Sequence, residues 1–240
     1  MGKTTTLSSL VSLYTKGFID MVFPRKCTVC GCRLALSEYL VCTHCMYKMP
    51  RTFLAAHAHS NRMIDNIATA VPFQRCAALV WHTHLSPFSY LIYQLKYDDH
   101  PEIGLWMGRL IAEEMRDEGF FEGIDVIVPV PLTPSRQRWR GYNQSEEIAK
   151  GIAQVVPLPI CSDALIRRSF QKSQTKNTRF ERLENVKEAF SLVRPEAVSG
   201  RHVLIVDDII TTGATVASCA SQLALAGDVT ISVVAWGAAH

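Results

Sequence analysis

Residues 203–215, VLIVDDIITTGAT, constrain what this chain can fold into more than any other stretch. Val203, Leu204, Ile205 and Val206 form a continuous branched apolar run, the pattern of a strand buried on both faces of a parallel sheet. Asp207 and Asp208 end that run. Two adjacent carboxylates are costly to desolvate together, so they belong where the strand's carboxyl end opens into a crevice, the edge at which open α/β sheets bind ligands. Thr211, Thr212, Gly213, Ala214 and Thr215 follow, small residues with hydroxyls and one permissive glycine, and then a helix-like run over residues 216–225. Such a loop offers backbone N–H groups to a phosphate. A P-loop would place Lys-Ser/Thr after its glycine, whereas Gly213 is followed by Ala214 and Thr215. A receiver-type domain needs a second acidic strand and a lysine after the acid pair, and only 32 residues follow Asp208. A plain helix cap needs one carboxylate at the helix start, not two at the strand end.

The chain has 240 residues, long enough for one large domain and a small module, and its 48% apolar and 20% charged content is that of an ordinary globular protein. No apolar stretch reaches transmembrane length, and the start, MGKTTTLSSL, lacks a secretory apolar region. Charge is unevenly placed: residues 136–187 hold eleven Lys/Arg against five Asp/Glu, a local +6 within a total of +3. A basic segment set against an acid-pair site suits a polyanionic ligand.

Four of the eight cysteines form two C-x-x-C units, Cys27/Cys30 and Cys42/Cys45, separated by eleven residues. This is zinc-ribbon spacing: each unit aims two thiolates at one point, Gly31 relieves the first turn, and residues 34–41 are suited to a short hairpin. Four soft ligands leave no open position, so the Zn2+ is expected to be structural. Cys32 and His44 lie close enough in sequence to substitute as ligands. Redox use competes, but no βαβ pattern surrounds these cysteines. The remaining four are scattered in apolar or strand-like contexts, which fits a reducing, cytoplasmic setting.

Ahead of the ribbon (residues 24–50), residues 1–23 carry apolar positions at mixed three- and four-residue steps and read as an amphipathic helix. The polar stretch 51–72 reads as a linker, and residues 73–240 as the main domain. Within it, residues 74–81 suggest a strand; His82 and His84 then sit at a turn, isolated from carboxylates in sequence. Ser86-Pro87 opens a helix that ends at Lys96-Tyr97, with Lys96 placed to meet solvent or an anion, and residues 102–116 form a second amphipathic helix. A buried strand over residues 124–130 leads to Arg136, Arg138, Trp139, Arg140, Gly141 and Tyr142. Arginines at two-residue spacing with a glycine beyond read as a flexible basic loop at a strand's carboxyl end. Such a loop can grip a pyrophosphate bidentately, or follow a nucleic-acid backbone while Trp139 and Tyr142 stack on bases. Helix (146–155), short strands (164–168 and 189–192), a capping box at residues 178–181 and a last strand (229–235) complete an open parallel α/β sheet.

The acid pair followed by TTGAT resembles the phosphoribosyl pyrophosphate (PRPP) signature of type I phosphoribosyltransferases. Adding the four-cysteine ribbon, Lys96-Tyr97, VPVPLTPSRQRWRGYNQSEEIA, and the later Gln174, Arg182, Asn185 and Ala189-Phe190, the chain resembles the ComF/GntX family over nearly its whole length. The resemblance implies an open parallel-sheet phosphoribosyltransferase-like domain behind a small zinc ribbon, and a role in natural competence, the cytoplasmic handling of incoming single-stranded DNA. It further implies that Asp207 and Asp208 hold the ribose hydroxyls and Thr211 through Thr215 the 5′-phosphate. Competence helicase or recombination proteins would be the partners.

Two uses of such a site are expected from different classes. In an enzyme, Mg2+ with Arg136 and Arg140 stabilises departing pyrophosphate while Asp207 and Asp208 hold a sugar ring gaining oxocarbenium character. In a binding module, PRPP is held without transfer and Arg138, Trp139, Arg140 and Tyr142 meet single-stranded DNA. A housekeeping phosphoribosyltransferase acting on another acceptor is the alternative to a competence protein; nothing after Val229 specifies a nucleobase pocket.

Overall fold

The computed structural model describes residues 23–67, 71–83, 85–168 and 190–239. The amphipathic helix expected over residues 1–23 lies outside them, apart from Phe23, as do His84, the capping box at 178–181, and Gln174, Arg182, Asn185 and Ala189 of the family motif. Two compact units meet in sequence at Met49 and Pro50. No helix of the described residues is long and apolar enough to cross a membrane.

The first unit is built on its cysteines. Gly31 (φ 72°) turns the chain so that its N–H donates to the Cys27 carbonyl at 2.8 Å. Residues 34–41 do not form the expected hairpin; single antiparallel bridges join Lys26 to Arg33 and Tyr39 to Val41. Glu38 does the joining instead, its carboxylate accepting from the Ala35 and Thr43 backbone N–H groups, both at 2.7 Å, and from the Thr43 hydroxyl. Those bonds hold Glu38 below the usual carboxylate range. They also fix the start of α1 (Thr43–Lys48), which carries Cys45 inward.

The second unit holds a four-stranded, all-parallel sheet. Its strands are β1 (Arg75–His82), β2 (Val126–Pro129), β5 (His202–Ile210) and β6 (Thr230–Ala239), in spatial order β1-β6-β5-β2. The central pair β5 and β6 is buried on both faces, which is why both read as unbroken apolar runs. A separate antiparallel pair, β3 (Leu165–Arg167) and β4 (Phe190–Leu192), sets Arg167 opposite Phe190.

Between β1 and β2 run α3 (Ser89–Tyr97) and α4 (Pro101–Met115); α5 (Pro134–Arg140) and α6 (Gln144–Ala153) follow β2, and α7 (Ala214–Leu223) follows β5. α4 and α6 pack backbone to backbone. A Cβ on Gly108 would stand 2.0 Å from the Ile148 carbonyl oxygen, and one on Gly151 2.2 Å from that of Leu105, so only glycine permits this approach.

Of the stretch 51–72, expected as a linker, residues 51–61 are laid along edge strand β1. Trp81 N–H donates to the Pro50 carbonyl, Thr52 N–H to Leu79 and Cys76 N–H to Ala58. Asn61 caps α2 (Arg62–Asn66) and donates through Nδ2 to the Cys76 carbonyl at 2.8 Å. Two polar side chains of the stretch, Thr52 and Asn61, thus satisfy carbonyls of the edge strand, a use that composition does not distinguish from a solvated linker. Helix α3 begins at Ser89 and not at Ser86-Pro87: residues 86–88 form a turn in which Ser86 Oγ accepts from the Phe88 N–H.

Candidate functional site

The acid pair does not end its strand. β5 continues to Ile210, with Asp207 opposite Ala235 and Ile209 opposite Gly237 on β6. On the other side β2 stops early, its last pair being Pro129 with Val206. From Asp207 onward, one edge of β5 therefore stays in the sheet while the other opens. The sheet opens here because a neighbouring strand is shorter, and the carboxylates stand at that open edge while still in strand conformation.

Successive side chains of a strand point to opposite faces, and the two carboxylates find different partners. Asp207 is only 9% exposed; its Oδ1 accepts from the Ser145 hydroxyl at 3.1 Å and from the Asp208 N–H at 2.8 Å. Burial, and then the neighbouring Asp208 charge, push Asp207 up to about 7, so near neutral pH it is poised between acid and carboxylate. Asp208 Oδ1 accepts from the Ile209 N–H, and its Oδ2 is 2.8 Å from Lys96 Nζ, at the end of α3. The anion that Lys96 meets is thus Asp208, 112 residues away in sequence.

Residues 211–213 turn the chain from β5 into α7. Gly213 is in the left-handed region (φ 71°), and a Cβ there would meet Ile67 Cγ1 at 2.4 Å. Gly213 at the N-cap has no side chain to offer, and the Thr212 hydroxyl accepts from the Ala214 N–H at 3.4 Å, so the start of α7 sets backbone N–H groups and the Thr211, Thr212 and Thr215 hydroxyls where an anion can meet them.

The arginine segment is not a flexible loop. Thr133 caps α5, whose first-turn proline pre-sets the helix, and Gly141 (φ 80°) ends it. Arg136, Arg138 and Trp139 are exposed on this short helix. Arg140 is half-buried: Nη1 donates to Gln144 Oε1 at 2.8 Å, the guanidinium lies over the Tyr97 ring at 5.4 Å, and buried Nε has no partner. Trp139, 70% exposed, meets Tyr97 edge-on at 5.9 Å. Tyr97 contacts Tyr93 at 5.0 Å, and Tyr93 stacks on Tyr90 at 5.9 Å, so four exposed rings run in series along α3 to α5. A cavity of about 350 Å³ lies among Lys96, Tyr97, Asp99, Arg138, Trp139 and Arg140. A larger one, about 610 Å³, opens around Arg75, where β1 begins, and includes none of the acid-pair or phosphate-loop residues.

Tyr142, expected to stack on bases, is used otherwise. Its hydroxyl donates to the Leu95 carbonyl at 2.6 Å, and burial followed by the Asp99 charge pushes it up to about 12. It pins the end of α3, where Lys96 follows. Tyr90 and Tyr93 are the exposed rings that the sequence reading passes over; with Tyr97 they stand at three- and four-residue spacing, the signal of one helix face. Ser145 carries no motif of its own, and only the fold brings it to Asp207.

In the first unit, the sulfur atoms of Cys27, Cys30, Cys42 and Cys45 all lie within 4.8 Å of one another, three of the residues being buried. Cys32, exposed, and His44 are not in this group. Although burial opposes it, the N–H groups of Cys42, Cys30 and Val29 bring the Cys27 thiol down to about 7, while burial and the other three cysteines push Cys45 up. Four sulfur atoms so gathered fit a tetrahedral thiophilic metal ion.

Residues 94–227 match the family model described as the phosphoribosyl transferase domain, a span containing Lys96, the arginine helix, the acid pair and the phosphate loop. The chain is 31% identical to the DNA utilization protein YhgH of Escherichia coli O157:H7 over 227 residues, covering 89% of this chain and 96% of that one. It is 28% identical to competence protein F of Haemophilus influenzae over 214 residues, 88% of this chain and 89% of the other. Over 90 residues it is 33% identical to competence protein ComFC of Bacillus subtilis, 38% of this chain and 34% of that one.

Proposed function

Because this chain belongs to the phosphoribosyl transferase domain family, and within it to the ComF proteins, we propose that it is a PRPP-binding protein serving competence and DNA utilization. The observation that carries the reading is the continuity of β5 with α7. A buried carboxylate and an ion-paired one stand at the open edge of the sheet, and within five residues the chain presents the glycine-led start of a helix. Hydroxyl acceptors and a phosphate seat at that spacing match a ribose 5-phosphate.

In this reading Asp207 and Asp208 accept hydrogen bonds from the ribose hydroxyls, and the N–H groups of residues 213–215 hold the 5′-phosphate. Lys96 exchanges Asp208 for the ligand's negative charge, and Arg136 and Arg140 face the pyrophosphate. Mg2+ arriving with PRPP supplies neutralisation of pyrophosphate charge; carboxylate oxygens beside an anion seat are the hard donors it favours. Zn2+ is the metal assigned to the four cysteines, in a structural role since all four positions are sulfur.

The cytoplasm is where PRPP and incoming single-stranded DNA would meet. Arg138, Trp139 and Arg140 are the groups placed to contact the DNA, joined by the tyrosine face of α3 and without Tyr142. Calorimetry with Mg2+ and PRPP tests the site. Wild type should bind, and Asp207→Asn/Asp208→Asn should not; equal binding by both would refute the assignment. Pyrophosphate release, with and without single-stranded DNA, then reads transfer.

A further inference from the structure

Among the charged groups that line the cavity between the end of α3 and α5, one is opposite in sign to the rest. Asp99 shares that space of about 350 Å³ with Lys96, Arg138 and Arg140, and with the rings of Tyr97 and Trp139. Two of the cations are already engaged, Lys96 by Asp208 and Arg140 by Gln144 and the Tyr97 ring. Asp99 is exposed, and among the described residues its carboxylate has neither an ion pair nor a hydrogen bond. The backbone explains its position but not its charge. Asp98 closes α3, its N–H donating to the Gln94 carbonyl at 3.0 Å, and Asp99 follows in the left-handed region (φ 57°). Glycine or asparagine would serve that turn at least as well, so turning the chain does not itself call for a carboxylate.

A ligand that uses the whole cavity offers a flat face to the aromatic wall, where Trp139 is 70% exposed, a negative charge to Arg138, and N–H donors to Asp99. A nucleotide carries all of these, and the volume, near the lower end of the roughly 300–1,000 Å³ of small-ligand pockets, suits a single base. Stacking alone is tolerant of sequence, so discrimination falls to the hydrogen-bonding group. Guanine presents N1–H and N2–H side by side, two donors to the two oxygens of a carboxylate. Adenine and cytosine each set an amino group beside a ring-nitrogen acceptor, and thymine flanks its one N–H with two carbonyl oxygens. Each of those three turns a lone pair toward the carboxylate, and only guanine does not.

We propose that Asp99 is the specificity-determining residue of the DNA-contacting face, accepting two hydrogen bonds from a guanine base seated against Trp139 while Arg138 meets the adjoining phosphate. The inference rests on the single-stranded DNA reading of this face. It adds a base preference to a surface whose rings and arginines otherwise bind any sequence.

The test is fluorescence anisotropy with the full chain and three labelled probes: oligothymidylate, the same strand with one central guanine, and the same strand with inosine there, which keeps N1–H and lacks the N2 amino group. Wild type should bind the guanine probe about tenfold more tightly than oligothymidylate, and inosine should lose most of that gain. Asp99→Asn, which tolerates the left-handed turn, should keep the melting temperature and bind oligothymidylate as well as or slightly better than wild type, with no preference for guanine. A carboxylate serving only the turn would leave the preference unmoved. Guanine and thymine probes bound equally by wild type, an inosine probe equal to guanine, or a guanine preference that survives Asp99→Asn would each overturn the proposal. So would free dGMP binding as tightly as the guanine probe, since the base would then be read from a mononucleotide and not from a strand. If no probe binds wild type, the DNA reading falls and this inference with it.

Discussion

Asp207→Asn should stabilise the free protein at pH 8 while abolishing its ligand binding. The side chain is buried, and its Oδ1 accepts from Ser145 and from the Asp208 N–H, bonds that an asparagine oxygen keeps at the same position. What the substitution removes is a desolvated charge beside a second carboxylate. A carboxyl raised from 3.8 to about 7 corresponds to a ceiling of about 4 kcal/mol between its ionised and neutral forms. Because the folded value lies above the unfolded one, native Asp207 holds its proton where unfolded Asp207 has lost it. Its contribution to stability is therefore full below about pH 4 and is lost as pH rises to about 7. At about 2–4 °C per kcal/mol for a domain of this size, the variant should melt on the order of 10 °C higher at pH 8, less whatever Lys96 screens, and nearly level with wild type at pH 4. Thermal melts of both proteins from pH 4 to 8 supply the difference curve. A variant equally or less stable at pH 8, or a difference independent of pH, refutes the argument that function here is bought with stability.

Gly213→Ala should cost about 2–4 kcal/mol in denaturant melts, from left-handed backbone and the 2.4 Å approach to Ile67, and should weaken ribose 5-phosphate binding. Chelation, or Cys45→Ser, should release stoichiometric zinc by metal analysis and increase proteolysis within residues 23–49, leaving the sheet unit folded. Trp139→Ala and Tyr97→Ala should each weaken oligothymidylate binding by about 1–3 kcal/mol in fluorescence anisotropy, with steep salt dependence; Tyr142→Phe should leave it unchanged.

What the sequence makes legible is what neighbours in sequence decide. A branched apolar run, two carboxylates and a glycine turn lie within thirteen residues, and paired C-x-x-C units declare their own convergence. The parallel sheet follows from strands alternating with helices. The strand's extent was not legible, because Asp207 stays in β5 through pairing with a strand whose register no local pattern reveals. Nor were Lys96 with Asp208, or Ser145 with Asp207: each joins residues that only the packing of α3 and α6 around β5 brings together. The arginine segment reads as a loop because its arginines are clustered with a glycine beyond them, yet Thr133-Pro134 is a helix start whose short helix ends at that glycine. Residues 51–72 mislead for a related reason. Thr52 and Asn61 serve the edge of β1, so composition shows the polarity and hides the partner.

The most direct measurement of the central claim is a crystal structure with PRPP and Mg2+ bound. The account predicts the 5′-phosphate on the N–H groups of residues 213–215, the ribose hydroxyls on Asp207 and Asp208, and Lys96 Nζ moved from its 2.8 Å contact with Asp208 onto the ligand. PRPP found instead in the cavity around Arg75, with Lys96 and Asp208 still paired, would contradict it.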